Sequence, residues 1–454
     1  MKKEKERGQF SSKFGFIMAA AGSSVGLGNI WRFPYLAAKY GGGMFLIIYI
    51  IFVLTLGFTI MMAELAIGRH TQLGPTKAYG ALNKKWNFVG VIGAIVSFII
   101  FPYYSVIGGW IVKYAFVFAI GSGSATVAED YFTTFAAQPW ENVLLQILFV
   151  VLTAAIVFGG VQKGIEKMSK IMMPILIVLT IIVMVFALMQ PGAMEGVKYY
   201  VLPNIKDFSF ESCLAAMGQM FYSLSLAMGI MVTYGSYVQK QDSLEQSVDQ
   251  IELFDTAIAV MAGFMIIPAV FVFSGGDPAA LGKGVGLMFV NLPKVFNAMQ
   301  FGGVVGALFF VLVFFAAITS TISLLEAVVA SVCDSFGWER KHAVIIISIV
   351  SILLGVPSAL SFGVLGDFTI FGMTFFSFCD FITNSVLMPV GALLTCIFVG
   401  HIIDTNIIID EVTLNGSKFQ RKKIFVVMIK YIAPICILAI LISSILEGLG
   451  FITF

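Results

Sequence analysis

Apolar residues run along this chain in long, nearly unbroken stretches, without the regular polar face of a water-facing helix or the alternation of a half-buried strand. A window of about 19 residues, the length suited to membrane helices, picks out runs near 13–37, 43–68, 88–121, 142–159, 170–189, 213–238, 252–274, 301–333, 343–356, 364–399 and 424–447. Roughly 20 helical residues cross the ~30 Å hydrocarbon core, so each run predicts a span and the chain reads as an all-α polytopic membrane protein with eleven of them. Runs 88–121 and 301–333 exceed one bilayer thickness, so these helices are expected to tilt or project into water.

The polar stretches between the runs set the organisation. Residues 1–12 read as a cytoplasmic N-terminal tail, 13–189 as a first five-helix repeat, 190–212 as an extracellular connection and 213–399 as a second five-helix repeat. Residues 400–423 follow as a cytoplasmic loop, and 424–454 as an eleventh helix with an extracellular C-terminus. Five spans per half is an odd number, so the second half enters the membrane from the opposite side, which is the condition for an inverted repeat. Basic residues decide the direction. The N-terminal tail, 69–87, 160–170, Lys240, Arg340 with Lys341, and 400–423 carry most of the Lys and Arg, while the alternate loops hold only Lys39, Lys198, Lys206, Lys283 and Lys294. Positive charge stays inside, which puts the N-terminus in the cytoplasm and the chain in the plasma (inner) membrane.

Composition narrows the chemistry. Of 454 residues, 59% are hydrophobic and 11% charged, with a net charge of +2, so there is no basic field with which to bind nucleic acid. Five cysteines (Cys213, Cys333, Cys379, Cys396, Cys436) stand singly, without a C-x-x-C pair, and read as small buried hydrophobes. His70, His342 and His401 are too scattered to suggest a metal centre. The N-terminus MKKEKERGQFSSK has no small-residue cleavage site before the first run and is not a signal peptide.

The first span of each half is interrupted at a matching place, by Ala21-Gly22-Ser23-Ser24-Val25-Gly26-Leu27-Gly28-Asn29 in one and Phe221-Tyr222-Ser223-Leu224-Ser225-Leu226-Ala227-Met228-Gly229 in the other. Glycine costs about 1 kcal/mol in a helix interior, so Gly22, Gly26 and Gly28 invite unwinding. Amides and carbonyls freed at membrane depth are tolerated only where they line a cavity or bind something. Freed carbonyls with Asn29, Ser223, Ser225, Thr319 and Ser320 can replace the water around a small hard cation, while half-helix N-termini offer N–H groups to a carboxylate. The plainer alternative is close helix packing, since Gly22-x-x-x-Gly26 also fits the small-xxx-small pattern. Gly22-x-Ser24-x-Gly26 matches the nucleophile-elbow pattern too, but lacks the preceding strand which that motif needs.

The runs GSSVGLGNIWRFPYLAAKYGGGMFLIIY (22–49), AELAIGR (63–69), GQMFYSLSLAMG (218–229) and FFAAITSTISLLE (314–326) together resemble the neurotransmitter:sodium symporter family, here an eleven-span bacterial type. The resemblance implies a leucine-transporter-like 5+5 inverted-repeat fold with discontinuous helices 1 and 6. It also implies two Na+ sites. The first is formed by the Ser24 carbonyl, the Asn29 side chain, Ser223 and Asp255, completed by the substrate carboxylate. The second comprises the Gly22, Val25 and Ala316 carbonyls with the Thr319 and Ser320 hydroxyls. Ala316-x-x-Thr319-Ser320 spans one helical turn, so these oxygens share a face.

By the same resemblance an amino acid carboxylate meets the Leu27 and Gly28 amides, the Tyr104 hydroxyl and the first sodium, and the amino group meets carbonyls at Ser24, Tyr222 and Ser223 and the Ser225 hydroxyl. Monoamine-carrying relatives place an aspartate at Gly26, so glycine there favours an amino acid. The implied walls are Ile100, Tyr104, Tyr222, Leu226, Met228, Ser320 and Leu324, which suit a neutral, hydrophobic or aromatic side chain. Arg32 with Asp380 resembles an outer gate. Arg7 with Asp334, supported by Tyr237, resembles an inner one, for which solvated interface charges are the plain alternative. Glu64 is expected to accept hydrogen bonds from unwound backbone. Asp255 supplies a fixed negative charge where animal relatives have neutral residues and use chloride, so chloride is not required. Gly164 and Pro174, nine residues apart, resemble a segment that unwinds to open a water path inward. The loop 275–300 is expected to fold over the outer vestibule.

These features predict a sodium-coupled symporter of neutral L-amino acids, with the lipid bilayer, sodium and the amino acid as partners. A sodium-independent or proton-coupled carrier of the same fold and a non-transporting amino acid sensor remain the alternatives. No enzymatic constellation such as H-E-x-x-H is visible.

Overall fold

The structure, a computed structural model, describes residues 8–274 and 285–448. Among these, nine helices are long and apolar enough to cross a membrane, and a tenth span is a pair of helices bent by 53° at a short break. That pair is α1 (Lys13–Ser24) and α2 (Gly28–Lys39). Next come α3 (Gly43–Thr71), the short α4 (Pro75–Leu82), α5 (Lys84–Ala119), the short α6 (Tyr131–Ala137), α7 (Pro139–Phe158) and α8 (Val161–Leu188). After α9 (Ala193–Val201), the run predicted at 213–238 is divided into α10 (Phe210–Ser223) and α11 (Ile230–Gly235), with residues 224–229 outside both helices. The chain continues with α12 (Leu244–Ser274), α13 (Leu292–Ala298), α14 (Gly302–Phe336), α15 (Arg340–Leu360), α16 (Phe375–Ile402), α17 (Thr405–Val412) and α18 (Lys422–Gly448).

Local chemistry explains several of these boundaries. Ser12 caps α1 by accepting the Gly15 N–H at 3.1 Å. Ser209 and Ser212 form a reciprocal capping box on α10, satisfying amides the helix leaves unpaired. Proline opens α4 and α7, where its missing N–H costs nothing. One predicted run is corrected: 364–399 does not start as a helix. Thr369–Ile370 and Met373–Thr374 pair antiparallel, with Thr369 opposite Thr374, around Phe371 and Gly372 at φ 51° and 78°. Two successive positive φ values fit a tight hairpin turn, so α16 starts only at Phe375.

The core is continuous through the bundle. α5 and α14, the two longest helices, pack along each other, and α1 lies against α8, α12 and α14. Trp110 anchors an aromatic cluster against Phe132, Phe289 and Phe362 at 4.9–5.7 Å, and its indole N–H donates to Asn142 Oδ1 at 2.6 Å. Lys113, within the same helix, pairs with Glu141 and lies over the Phe135 ring. The tail residue Arg7, residues 275–284 of the loop 275–300 and the last six residues lie outside the described residues, and the rest of that loop is helical from Leu287 to Ala298.

Candidate functional site

The two helix breaks face each other at the centre of the bundle. At the first, Val25 leaves helical geometry (φ −72°, ψ 98°) while its N–H still bonds the Ala21 carbonyl at 2.7 Å. The next two amides abandon the helix. Gly26 N–H goes to Asn29 Oδ1 at 3.0 Å and Leu27 N–H to the Tyr104 hydroxyl at 3.2 Å. An unbroken helix would have used them to satisfy the Gly22 and Ser23 carbonyls, so the break releases both. The Ser23 carbonyl accepts the Ser225 and Ser320 hydroxyls at 2.9 and 3.3 Å.

At the second break, Ser225 and Ala227 hold left-handed conformations (φ 53° and 60°) that L residues rarely adopt. Side chains from other helices fasten this stretch. Glu64 Oε1 accepts the Ala227 N–H at 2.9 Å, and the Ser97 hydroxyl donates to the Met228 carbonyl at 2.6 Å. Between the breaks lies a narrow cavity lined by Ser24, Gly26, Leu27, Gly28, Asn29, Ile100, Tyr104, Tyr222, Ser223, Ser225, Met228, Ser320 and Leu324, all expected from the sequence, together with Ser23 and Ile230, which were not. Leu226 is buried but does not line it. No charged side chain is among the lining residues.

Two glycines are required by close approach. A Cβ on Gly26 would stand 2.7 Å from Ser320 Oγ and 3.3 Å from the Tyr104 hydroxyl, and one on Gly28 would strike the Tyr222 ring at 2.5 Å. Any larger residue at Gly26 therefore intrudes on the polar end of the cavity.

Three of the four residues expected at the first sodium site, Asn29, Ser223 and Asp255, form one hydrogen-bonded group behind the break. Asp255 is fully buried. Its carboxylate accepts the Ser223 hydroxyl at 2.9 Å, the Asn29 amide at 2.7 Å and the Tyr49 hydroxyl at 3.2 Å. The Asn29 amide bridges the break and the carboxylate: Nδ2 points to Asp255 while Oδ1 holds the Gly26 N–H. Its oxygen is the only atom of the amide that can face a cation, and it carries a second lone pair beside the one that the Gly26 N–H takes. Tyr49 was not foreseen at this site, although it closes the run 22–49 that carries the resemblance.

At the second sodium site the structure brings Gly22 onto α14: a Cβ there would lie 3.3 Å from Thr319 Cβ and 3.2 Å from Met173 Sδ. Thr319 and Ser320 both donate to the Ala316 carbonyl at 3.1 Å. A second ring of hydroxyls backs this face. Ser23 Oγ donates to Ser323 Oγ at 2.6 Å, and Ser323 to the Ser320 carbonyl at 2.7 Å.

The gates are only partly brought together. The close contacts of Arg32 and Asp380 lie with other residues. The Arg32 guanidinium sits 5.3 Å over the Tyr222 ring, and Asp380 accepts Asn384 at 2.7 Å and the Tyr103 hydroxyl at 3.3 Å. On the other side, Asp334 accepts the Gly74 N–H at 2.6 Å, while its expected partner Arg7 is outside the described residues. Tyr237 donates to Glu326 at 2.7 Å, and Glu326 also takes Arg340 at 2.8 Å. This triad was missed, although an in-span glutamate is itself a signal of a buried partner. Gly164 lies in the first turn of α8 and Pro174 in the interior of that helix; close to Gly164, Glu166 accepts the Ser11 N–H and hydroxyl at 2.7 and 2.6 Å.

Comparison with known proteins matches this chain to a family model described as the sodium:neurotransmitter symporter family, over residues 7–122 and 133–450. An uncharacterized sodium-dependent transporter, YhdH, of Bacillus subtilis is 39% identical over 96% of this chain and 97% of its own. Another, of Haemophilus influenzae, is 31% identical over 97% and 98%. Among solved structures, MhsT in complex with L-phenylalanine superimposes with a TM-score of 0.87 at 40% identity, covering 96% of this chain and all of that one.

Proposed function

Because this chain belongs to the sodium:neurotransmitter symporter family and is a sodium-dependent membrane transporter rather than an enzyme, we propose that its cargo is a neutral L-amino acid with a hydrophobic or aromatic side chain, carried with two sodium ions. The observation that carries this reading is the first helix break. It presents the Leu27 N–H and the Tyr104 hydroxyl at one end of a cavity whose lining includes no charged side chain. A zwitterion brings its own two charges, so its carboxylate suits the amide end and the first sodium. Its ammonium suits the Ser225 hydroxyl and carbonyls at Ser24, Tyr222 and Ser223. Ile100, Met228, Ile230 and Leu324 leave an apolar wall for the side chain, and the L-phenylalanine bound by MhsT fits that chemistry.

The first sodium then sits among Asp255, Ser223, Asn29 and the Ser24 carbonyl, touching the substrate. The second sits where Gly22 and Val25 meet Ala316, Thr319 and Ser320. Both sets are hard oxygens, as a small cation requires. Because the Asp255 carboxylate supplies the balancing negative charge, chloride is not required. The cavity leaves only about 30 Å³ to the centres of water-sized molecules, so an amino acid enters as the walls part, and alternating access follows from the movement of the two broken helices. Arg32 with Asp380 serves the outer gate. Asp334, Tyr237 and Arg7 serve the inner one. Eleven spans put the two termini on opposite sides of the membrane, and the excess of Lys and Arg in one set of loops puts the N-terminus in the cytoplasm.

Equilibrium binding of radiolabelled L-phenylalanine to the purified chain, in sodium and in potassium, tests the cargo. We expect saturable binding only in sodium, displaced best by neutral apolar L-amino acids. Equal binding in potassium, or best displacement by an amine or a charged amino acid, would overturn the assignment.

A further inference from the structure

A second, smaller cavity lies behind the non-helical stretch 224–229, on the side away from the substrate. It is lined by Glu64 of α3, Tyr79 of α4, Ala227, Gly229 and Thr395 of α16, with Pro75, Gly90 and Gly93 closing it. Glu64 is 1% exposed, and one of its oxygens holds the Ala227 N–H at 2.9 Å. The other, Oε2, has no hydrogen-bond partner among the described residues. A buried carboxyl oxygen left without a partner is costly.

The hydroxyls on the same cavity are one acceptor short. Tyr79 and Thr395 stand 2.9 Å apart, and one donates to the other. Each hydroxyl carries one hydrogen, so after that bond one hydrogen still needs an acceptor. Glu64 Oε2 is the cavity's unpartnered oxygen, yet neither hydroxyl is within bonding distance of it. The cavity leaves about 10 Å³ to the centre of a water-sized molecule, roughly what one water needs by that measure, and three polar groups is the usual number around a buried water.

We propose that this cavity is the site of a single buried water that accepts from the Tyr79–Thr395 pair and donates to Glu64 Oε2. Through Glu64 it fixes the left-handed residue Ala227, and so the stretch that presents Ser225 and Met228 to the substrate. Glu64, Tyr79 and Thr395 are then positioning residues that touch neither substrate nor sodium. Gly391 and Gly93 press on the same stretch, with Ala227 Cβ and the Gly229 N–H 3.5 and 3.0 Å from where their own Cβ atoms would be, so its backbone has little room to relax when the polar link is lost. The functional consequence rests on the amino acid transport reading, but the water site itself does not.

A crystal structure of the full chain that resolves ordered water tests the site directly. We expect one peak at about 2.7–3.2 Å from Glu64 Oε2 and from one of the two hydroxyls. No peak, a direct bond from Glu64 to either hydroxyl, or contacts near 2.4 Å typical of a metal ion would overturn it. Thr395→Val and Tyr79→Phe test the consequence by sodium-dependent amino acid binding. Each should weaken affinity about fivefold, the worth of one hydrogen bond. The double variant should lose no more than either single one, and Thr395→Ser should bind as the unaltered chain does. Additive losses, or a Thr395→Ser variant as weak as Thr395→Val, would overturn the positioning role. If the chain binds no amino acid at all, the transport reading fails while the crystallographic result still decides the water.

Discussion

At the scale of single residues, the account turns on Asp255 and Gly26. Asp255 carries the one carboxylate among the side chains assigned to the first sodium site, and three side chains donate to it. Replacing it with Asn keeps the volume and removes the charge. We expect Asp255→Asn to abolish uptake in chloride-free medium and regain a measurable part of it when chloride is restored, whereas the unaltered chain transports equally in both. Uptake of the unaltered chain that falls in gluconate would contradict the charge argument. Gly26→Asp places a side chain where even a Cβ lies 2.7 Å from Ser320 Oγ. We expect loss of amino acid binding by at least about 100-fold, the worth of roughly 3 kcal/mol from overpacking and an unmatched charge, read by the same radioligand measurement.

At the scale of elements, function comes from helices that stop where a membrane helix normally continues. Both breaks were legible, because glycines and hydroxyl residues clustered within an apolar run weaken the helix there, and backbone freed at that depth must line a cavity or hold a ligand. The groups that fasten the breaks were less so. The sequence marks Glu64 as an oddity within a span, but the Ser23–Ser323 bond links residues 300 apart and the Ser11–Glu166 bonds link residues 155 apart. Such pairings depend on which helix faces which, and hydrophobic periodicity is silent on that when helices are apolar all round. The same limit applies to Arg32 and Asp380, paired by resemblance as an outer gate, whose contacts with the Tyr222 ring and Asn384 no sequence pattern signals. Glu166 ties the segment before α1 to the opening turns of α8, beside Gly164. We therefore expect Glu166→Gln to loosen that latch and speed inward release of sodium, and Pro174→Ala, which restores a backbone donor and a stiffer helix, to slow it. Stopped-flow or electrophysiological measurement of the sodium release step reads both. Unchanged rates in the two variants would remove the α8 opening from the mechanism.

At the scale of the whole molecule, distant segments are joined by buried charges. Arg69 of α3 donates to Glu411 of α17 through Nε at 2.7 Å and to its backbone carbonyl, and reaches the Asp242 carbonyl at 2.6 Å. Arg69 and Glu411 are 1% and 4% exposed, and removing one partner of such a pair strands the other at a cost of about 3–5 kcal/mol. Arg69→Ala should lower the melting temperature in detergent by several degrees, and an unchanged value would show the pair to be dispensable. Orientation is read by labelling single cysteines in intact cells, on a background freed of natural ones. Ser124→Cys should react with an impermeant reagent and Lys418→Cys only after permeabilisation. The central claim, that a sodium gradient drives amino acid accumulation, is tested most directly by uptake of radiolabelled L-phenylalanine into proteoliposomes under an inward sodium gradient. We predict accumulation above the external concentration that collapses when external sodium is replaced by potassium. Equilibration without sodium dependence, or sodium-dependent binding without accumulation, would contradict it.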